Sequence, residues 1–317
     1  MVAGQPIRST EAGAVSGVGK ASPPDIDQLA PAPPAYGRRV PDAIFSDPRL
    51  ARLYDPLDPD RSDLDAYCRL VDELGARSVL DVGCGTGTFA CLLAGRGLDV
   101  VGVDPASASL DIARSKPGSD SVTWVHGDAT TLPHLAVDLV TMTANAAQVF
   151  LDDADFHATL VAARNACRVG GIVAFEVRDP RREAWRSWTP EDSFTRTEVP
   201  GIGVVESWVE LTSQDLPFVS FRWSYRFDDT GEVVTSDSIL RFRDEEEVRA
   251  CVVRAGMDVR EVRDAPDRPG MELVFLCAAG PPEPEPRRAL GTTPGRRVPG
   301  PATPTGGPRG GGRSRRP

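Results

Sequence analysis

The sequence has few of the residues that build metal centres or disulfide frameworks. Its six cysteines are widely spaced and form no C-x-x-C pair, and none of its three histidines stands at metal-ligand spacing. We therefore expect neither a zinc site nor a set of disulfide bonds, and we predict no metal.

Long apolar runs are absent as well. No stretch of about 18 apolar residues occurs, and the first thirty residues lack an apolar run of the length that a secretory signal needs. These absences argue against a membrane span and against export. We predict a cytoplasmic protein with no membrane partner.

Apolar side chains are scarce at both ends of the chain. Residues 281–317 contain 10 Pro and 8 Gly, and residues 1–40 are rich in Pro, Ser, Gly and Ala. Such compositions do not bury enough apolar surface to offset the entropy of ordering the chain. We predict two disordered tails, 1–40 and 281–317, on either side of one domain at 41–280.

The charge of the chain is unevenly distributed. Residues 281–317 carry a net charge of +6 and residues 1–40 carry +1, so the net charge of −10 leaves −17 for residues 41–280. A strongly acidic body repels phosphate backbones, so we expect no nucleic-acid partner. An RNA-binding or membrane-binding role for the Arg-rich tail is the less favoured alternative.

Short apolar runs alternate with helical patterns along the first part of the domain. The strand signals lie at 78–82, 99–103, 122–125, 137–142 and 172–177. The helix signals lie at 63–74, 88–93, 106–116 and 153–167. This order predicts an α/β fold with a doubly wound, mostly parallel, Rossmann-like sheet and helices on both faces. A predicted helix at 244–256 and predicted strands near 257–262 and 272–278 complete this fold.

The pattern changes after residue 177. Residues 218–227 alternate strictly between the two faces of a strand, with Val219, Phe221, Trp223, Tyr225 and Phe227 on the apolar side. Weaker alternation at 203–211 and 233–242 flanks this run, and residues 228–231 have the composition of a hairpin turn. We predict an inserted antiparallel β meander at 180–243.

Three predicted parallel strands end in residues that suit a nucleoside. Asp81 is closely followed by the glycine turn 83–87, whose backbone allows a ligand to approach. Asp104 ends the next strand, where a carboxylate can accept hydrogen bonds from both ribose hydroxyls. Asp128 and Ala129 follow the third strand, where a carboxylate and a backbone N–H match an adenine edge. These strand ends predict a nucleoside site.

The same strand ends fall into four segments whose order and spacing are specific: Ser78–Gly87, Gly102–Asp104, Gly127–Ala129 and Asp138–Val140. Together they resemble class I S-adenosylmethionine-dependent methyltransferases. The resemblance covers about residues 45–180 and the closing strands near 257–279. It implies a methyltransferase enzyme whose cofactor is S-adenosylmethionine, a sulfonium cation without phosphates that suits a pocket of carboxylates.

The resemblance also implies the cofactor-binding positions: Tyr54, Asp81, Gly83, Cys84, Gly85, Gly87, Asp104, Asp128, Ala129 and Thr143. Asp81 would lie near the amino group of the methionine part, which the glycines pass beneath. Asp104 would hold the ribose, and Asp128 and Ala129 the adenine. The backbone around Thr143 would lie on the amine side, and Tyr54 would fold over the cofactor. Only residues 130–136 separate the adenine motif from the next strand, so we expect the family's third helix to be missing.

The sequence contains fewer indications of the methyl acceptor than of the cofactor. Methyl transfer mainly requires that the acceptor atom, the methyl group and the sulfur are aligned and that water is excluded. The reaction therefore does not require a fixed catalytic residue. Asn145 and Gln148 after the fourth strand, and His157 on the next helix, are the candidates for contacting or activating a substrate. We expect a small-molecule acceptor, bound in part by the insertion at 180–243. The acceptor atom and the oligomeric state stay open.

Two other functions fit many of the same residues. An NAD(P)-dependent oxidoreductase would use the same sheet, although the turn has G-x-G-x-G rather than G-x-G-x-x-G and the Asp128-Ala129 pair then has no role. A non-catalytic nucleoside- or cofactor-binding protein would need only the site itself. Cys84 is either a reactive thiol beside a helix N-terminus or, as we favour, a small buried filler.

Overall fold

A computed structural model describes residues 40–280; apart from Val40, the two predicted tails lie outside the described residues. The strands are β1 (Ser78–Val82), β2 (Asp99–Asp104), β3 (Val122–His126), β4 (Val137–Met142), β5 (Cys167–Arg178), β6 (Thr195–Val199), β7 (Gly203–Asp215), β8 (Phe218–Phe227), β9 (Val233–Arg241), β10 (Met257–Asp264) and β11 (Glu272–Ala279). The α-helices are α1 (Ala43–Ser46), α2 (Pro48–Ala51), α3 (Tyr54–Leu57), α4 (Leu64–Leu74), α5 (Thr88–Gly95), α6 (Ser107–Ser115), α7 (Asp153–Ala166), α8 (Pro190–Ser193) and α9 (Glu245–Arg254). Within residues 40–280, none of the helices has both the length and the apolar composition to cross a bilayer.

Seven strands form one mixed sheet in the order β10-β11-β5-β4-β1-β2-β3. The five strands β1 to β5 run parallel, and β11 runs antiparallel to both β5 and β10. The predicted doubly wound α/β fold is confirmed. The direction of winding reverses between β1 and β4, and in such sheets ligands bind beyond the carboxyl ends of the strands at this point.

Helices cover both faces of this sheet because each presents an apolar stripe. In α4 the buried residues Leu64, Tyr67, Leu70 and Val71 recur at helical spacing, and Gly75 ends the helix with φ +60°. Each such Leu side chain contributes about 1.5–3 kcal/mol on burial. The α4 stripe packs with α5 against one face of the sheet, and α7 and α9 pack against the other.

The connection between β3 and β4 lacks an α-helix, as expected. A single 3₁₀ turn at Ala129–Thr131 takes its place. The start of β5 differs from the prediction: it begins at Cys167 rather than Ile172. Gly170 and Gly171 both lie within the strand, where its pairing with β4 shifts register.

The predicted meander is a separate four-stranded antiparallel sheet in the order β6-β7-β8-β9. Most of the predicted apolar face of β8 is buried, while Phe227 is only half-buried. Strand β6 was not predicted because four of its five residues are polar and largely exposed.

The second sheet packs against the short N-terminal helices α1 to α3. The apolar residues of this N-terminal segment, Ile44, Phe45, Leu50, Leu53 and Tyr54, are buried in one cluster with the aromatic face of β8. Sequence periodicity missed these helices because four residues are too few to show a helical repeat. The aromatic face of β8 is therefore core that packs against the N-terminal helices.

Candidate functional site

The glycine turn after β1 is held against the neighbouring strand. The backbone N–H groups of Gly83 and Cys84 both donate to the carbonyl oxygen of Val103, at 2.8 and 3.1 Å. Gly83, Gly85 and Gly87 all have positive φ, a conformation that residues with a Cβ rarely adopt. The turn therefore keeps backbone, rather than side chains, at the carboxyl end of β1.

Gly87 has a packing role in addition to its backbone conformation. A Cβ at this position would lie 2.4 Å from Cη2 of Trp124 and 2.7 Å from Cβ of Ala113. The ring of Trp124 and the side chain of Ala113 thus occupy the space on that side of the turn.

Replacing Gly87 with alanine is expected to destabilise the fold by about 2–4 kcal/mol, the sum of left-handed backbone strain and overpacking against Trp124. Gly97→Ala is the matched control. Gly97 has φ +86° but open space around its missing side chain, so only the strain of about 1 kcal/mol applies. Urea unfolding of both variants measures the difference, and equal losses would show that Trp124 does not restrict Gly87.

Asp104 at the end of β2 ties two backbone segments together. Its carboxylate is buried and accepts from Gly85 N through Oδ2 and from Ala106 N through Oδ1, both at 2.8 Å. Each carboxylate oxygen has more than one acceptor site. The same side chain therefore fixes the glycine turn and retains capacity for hydroxyl donors.

Asp128 and Ala129 lie beside Asp104 at the same edge of the sheet. Asp104 is in register with His126, two residues before Asp128. The half-buried Asp128 carboxylate accepts from Thr130 N at 2.9 Å and caps the 3₁₀ turn, while Ala129 is buried. The predicted meeting of acidic strand ends on β2 and β3 is what the structure shows.

Asp81 is buried near the end of β1, at the switch point of the sheet. The hydroxyl of Thr141 on β4 donates to its Oδ1 at 3.1 Å. Burial raises the pKa of Asp81 to about 6, opposed by the bond from Thr141 and by the positive charge of Arg61. Burial therefore penalises the ionised carboxylate, and a cationic ligand placed next to it would stabilise that form.

Arg61, which sequence reasoning missed, lies close enough to Asp81 for its charge to act there. Its Nε and Nη2 atoms face Asp63 at 3.3 and 3.4 Å. Its Nη1 is buried and has no hydrogen-bond partner within residues 40–280. A buried guanidinium N–H without an acceptor is uncommon, and it suits an anionic ligand. No motif surrounds Arg61, so sequence patterns do not single it out.

The N-terminal helix α3 is fastened to the glycine turn by Asp55. Its Oδ1 accepts from the hydroxyls of Thr86 and Thr88 at 2.8 and 3.2 Å, and its Oδ2 pairs with Lys116 at 2.7 Å. Tyr54, next in sequence, is buried, and burial raises the pKa of its phenol. These contacts place the segment that contains Tyr54 beside the glycine turn.

The residues after β4 enter a buried polar cluster. Thr143 is buried, and Asn145 N donates to Oε1 of Glu176 on β5 at 3.0 Å. Asn145 Nδ2 donates to Oε1 of Glu272 at 2.9 Å, and Arg178 Nη1 donates to Oε1 of Gln148 at 3.1 Å. Asn145 and Gln148 are thus held in place by other side chains.

Glu176 is the second functional candidate that sequence reasoning missed. Its Oε2 accepts the hydroxyl of Tyr67 on α4. Burial, followed by the charge of Glu272, raises the pKa of Glu176 to about 7. The available signal was one charged residue inside the otherwise apolar run 172–177.

The two remaining candidates from the sequence, His157 and Cys84, have less structural support for a functional role. His157 is half-buried on α7, and none of the described hydrogen bonds joins it to the strand ends. Cys84 is buried, and burial raises the pKa of its thiol well above the ordinary value. Cys84 is therefore a filler rather than a reactive thiol.

Comparisons with known proteins identify the class of the domain. Residues 79–171 match the family model described as a methyltransferase domain. The cypemycin N-terminal methyltransferase of a Streptomyces species is 34% identical over 108 residues, which are 34% of this chain and 44% of that protein. The demethylmenaquinone methyltransferase of Clavibacter sepedonicus is 39% identical over 69 residues, 22% and 28% of the two chains. The chain thus spans less than half the length of these curated relatives.

Solved structures share the fold more completely. The sugar N-methyltransferase KedS8 from Streptoalloteichus sp ATCC 53650 has a TM-score of 0.60 at 20% identity, covering 80% of this chain and 99% of that one. The CcbJ methyltransferase from Streptomyces caelestis has a TM-score of 0.60 at 21% identity, covering 73% and 96%.

Residues 79–171 thus match a methyltransferase domain, and the fold is that of solved S-adenosylmethionine-dependent methyltransferases. The resemblance seen in the sequence is confirmed. The expected cofactor, S-adenosylmethionine, is that of this class. The matches favour a methyltransferase over the nicotinamide-dependent alternative.

Proposed function

We propose that the protein transfers a methyl group from S-adenosylmethionine to a small-molecule acceptor by in-line displacement. The observation that carries this proposal is the row of Asp81, Asp104 and Asp128 along β1, β2 and β3, beside the glycine turn. A row of carboxylates with backbone N–H groups between them suits an adenosyl cation and offers no phosphate cradle.

The residues present fit the nucleoside half of this cofactor. Asp104 would accept the two ribose hydroxyls, since its oxygens have acceptor sites beyond those used by Gly85 and Ala106. Asp128 would accept from the exocyclic amine of adenine, and the backbone N–H of Ala129 would donate to a ring nitrogen. Gly83 to Gly87 would pass beneath the methionine part.

Asp81 and Arg61 fit the amino-acid half, which is a zwitterion. Asp81 would pair with the ammonium group and Nη1 of Arg61 with the carboxylate, so each buried charge gains an opposite partner. The backbone around Thr143 would lie on the amine side. Tyr54, whose neighbour Asp55 is bonded to the glycine turn, would fold over the cofactor.

S-adenosylmethionine supplies a methyl group on a positively charged sulfur, and the carbon–sulfur bond breaks as the acceptor bonds to that carbon. The protein's task is alignment and exclusion of water. Asn145 and Gln148, fixed in the buried cluster, are proposed to shape the acceptor side of the crevice. The residues at 180–243, which include the second sheet, are proposed to form part of the acceptor site.

Methyl transfer is tested directly with cofactor labelled in the methyl group and fractionated metabolite extract. We expect mass spectrometry to find a small molecule that gains one labelled methyl group with the wild type and not with Asp104→Ala. Cofactor binding without any labelled product would favour the non-catalytic cofactor-binding protein.

Cofactor affinity is expected to depend on pH through Asp81. Its pKa of about 6 in the free protein means that the carboxylate protonates as pH falls through this value and then no longer attracts the ligand's ammonium group. The affinity for S-adenosylhomocysteine should rise about tenfold from about pH 5 to about pH 7. Calorimetry with the wild type and Asp81→Asn measures this, and an equal pH dependence in the variant would exclude Asp81 as its source.

A further inference from the structure

A cleft beside α4 lies next to the buried polar cluster and outside the residues proposed for the cofactor. Its volume is about 60 Å³, and it is partly open to solvent. Leu70, Val274 and Leu276 give it apolar walls, and Tyr67 and Glu176 line its polar part. The apolar lining suits a compact apolar body that stays partly exposed to solvent.

The charges around the cleft favour a cation. Glu176 and Asp264 lie in its lining, and so does Arg263. The guanidinium of Arg263 is paired with Glu73 and Glu261, at 2.5 and 2.8 Å, so its positive charge is offset. The carboxylate of Glu176 has no such cation within hydrogen-bonding distance among its described contacts, which come from Tyr67 and a backbone N–H.

Two acceptor atoms of the cluster behind Glu176 are unpaired within the described residues, although the other oxygen of Glu272 pairs with Arg268 at 2.7 Å. Oδ1 of Asn145 and Oε2 of Glu272 are both buried and have no partner within residues 40–280. Buried acceptors are normally paired, so two unpaired ones beside an acidic residue indicate that a donor is missing. Because Asn145 N is bonded to Glu176, these acceptors lie next to the carboxylate that lines the cleft.

Strand register relates Glu176 to the cofactor end of the sheet. Asp81 is in register with Thr141, and Thr141 with Ala174. Glu176 lies two residues beyond Ala174 and on the same face of the sheet. Two strand spacings and two residue rises separate the Cα atoms of Asp81 and Glu176 by roughly 12 Å. An acceptor in the cleft with its reactive atom at Glu176 would therefore approach from the β5 side.

We propose that this cleft binds the methyl acceptor as an amine with a compact apolar body, and that Glu176 accepts its proton. The inference rests on the proposed methyltransferase function and narrows its substrate class. The bound ammonium transfers one proton to the carboxylate, which leaves a neutral carboxylic acid and a neutral amine with a free lone pair. Only the neutral amine is a nucleophile.

The environment of Glu176 supports proton uptake. Burial and the charge of Glu272 raise the pKa of Glu176 to about 7, while the Tyr67 hydroxyl, the charge of Arg268 and the N–H of Asn145 oppose them. A carboxylate whose conjugate acid has this pKa is a far stronger base than the carboxylate of an exposed glutamate.

The test uses the full chain saturated with S-adenosylhomocysteine and two probes of nearly equal shape, phenethylamine and 2-phenylethanol. Binding of S-adenosylhomocysteine is measured first, because its absence would defeat the proposed function rather than this inference. By calorimetry, we expect phenethylamine to bind the wild type about tenfold to a hundredfold more tightly than Glu176→Gln. The affinity for phenethylamine should rise as pH increases through about 7 in the wild type only.

The control variant is Asp258→Asn, an exposed carboxylate at the other end of β10, which should bind phenethylamine like the wild type. The inference is overturned if S-adenosylhomocysteine binds and phenethylamine does not. It is also overturned if Glu176→Gln binds phenethylamine as tightly as the wild type, or if the wild type binds the alcohol as tightly as the amine.

Discussion

The Asp104→Ala variant is expected to bind S-adenosylhomocysteine at least about a hundredfold more weakly than the wild type. Two effects add. The ribose loses its charge-assisted hydrogen bonds, and the backbone N–H groups of Gly85 and Ala106 lose the carboxylate that orders the turn. Calorimetry measures the affinity, and the thermal midpoint of the ligand-free variant reports how much of the effect is lost order.

The control for Asp104 lies on the same strand. Asp99 is exposed at the opposite end of β2, so Asp99→Asn removes the same charge from the strand without reaching the turn. We expect wild-type affinity from it. If Asp104→Ala retained wild-type affinity as well, the carboxyl end of β2 would not be a ribose site.

The Arg61→Leu variant is expected to lose affinity selectively. Binding of S-adenosylhomocysteine should weaken by about tenfold to a hundredfold, because its carboxylate loses a charge-assisted partner. Binding of 5′-methylthioadenosine, which has the same nucleoside but no amino-acid part, should stay unchanged. The Asp104→Ala variant should weaken both ligands, so calorimetry with the two ligands separates the two ends of the site.

Arg69→Leu is the control for Arg61→Leu, because it also removes one guanidinium group. Arg69 is exposed on α4, and its loss should affect neither ligand. An equal loss of affinity for both ligands in Arg61→Leu would mean that Arg61 supports the fold and does not bind the carboxylate.

The sequence predicted the cofactor end of the sheet because its signals are local. Asp81 and Asp104 lie near the ends of short apolar strands and Asp128 follows a third, and parallel topology alone brings the ends of neighbouring strands together. The glycine turn requires positive φ at fixed positions, and that requirement is also visible in the residue types. Alternation over residues 218–227 similarly predicts a strand of the second sheet.

The acceptor side could not be predicted in the same way, because its residues act through long-range contacts. Tyr67 on α4 meets Glu176 on β5 across more than a hundred positions of sequence, and each residue looks ordinary in its own segment. Arg61 lies in a polar linker where an arginine is unremarkable. The short helices α1 to α3 are stabilised by the second sheet, so their local sequence has little helical signal.

The central claim is that the carboxyl ends of β1, β2 and β3 form an adenosyl site. Titration calorimetry of the folded, full-length protein with S-adenosylhomocysteine tests it most directly. We expect one molecule to bind per chain, with an affinity that falls strongly in Asp104→Ala and is unchanged in Asp99→Asn. Absence of binding to folded wild-type protein at millimolar ligand would refute the adenosyl site and, with it, the proposed methyl transfer.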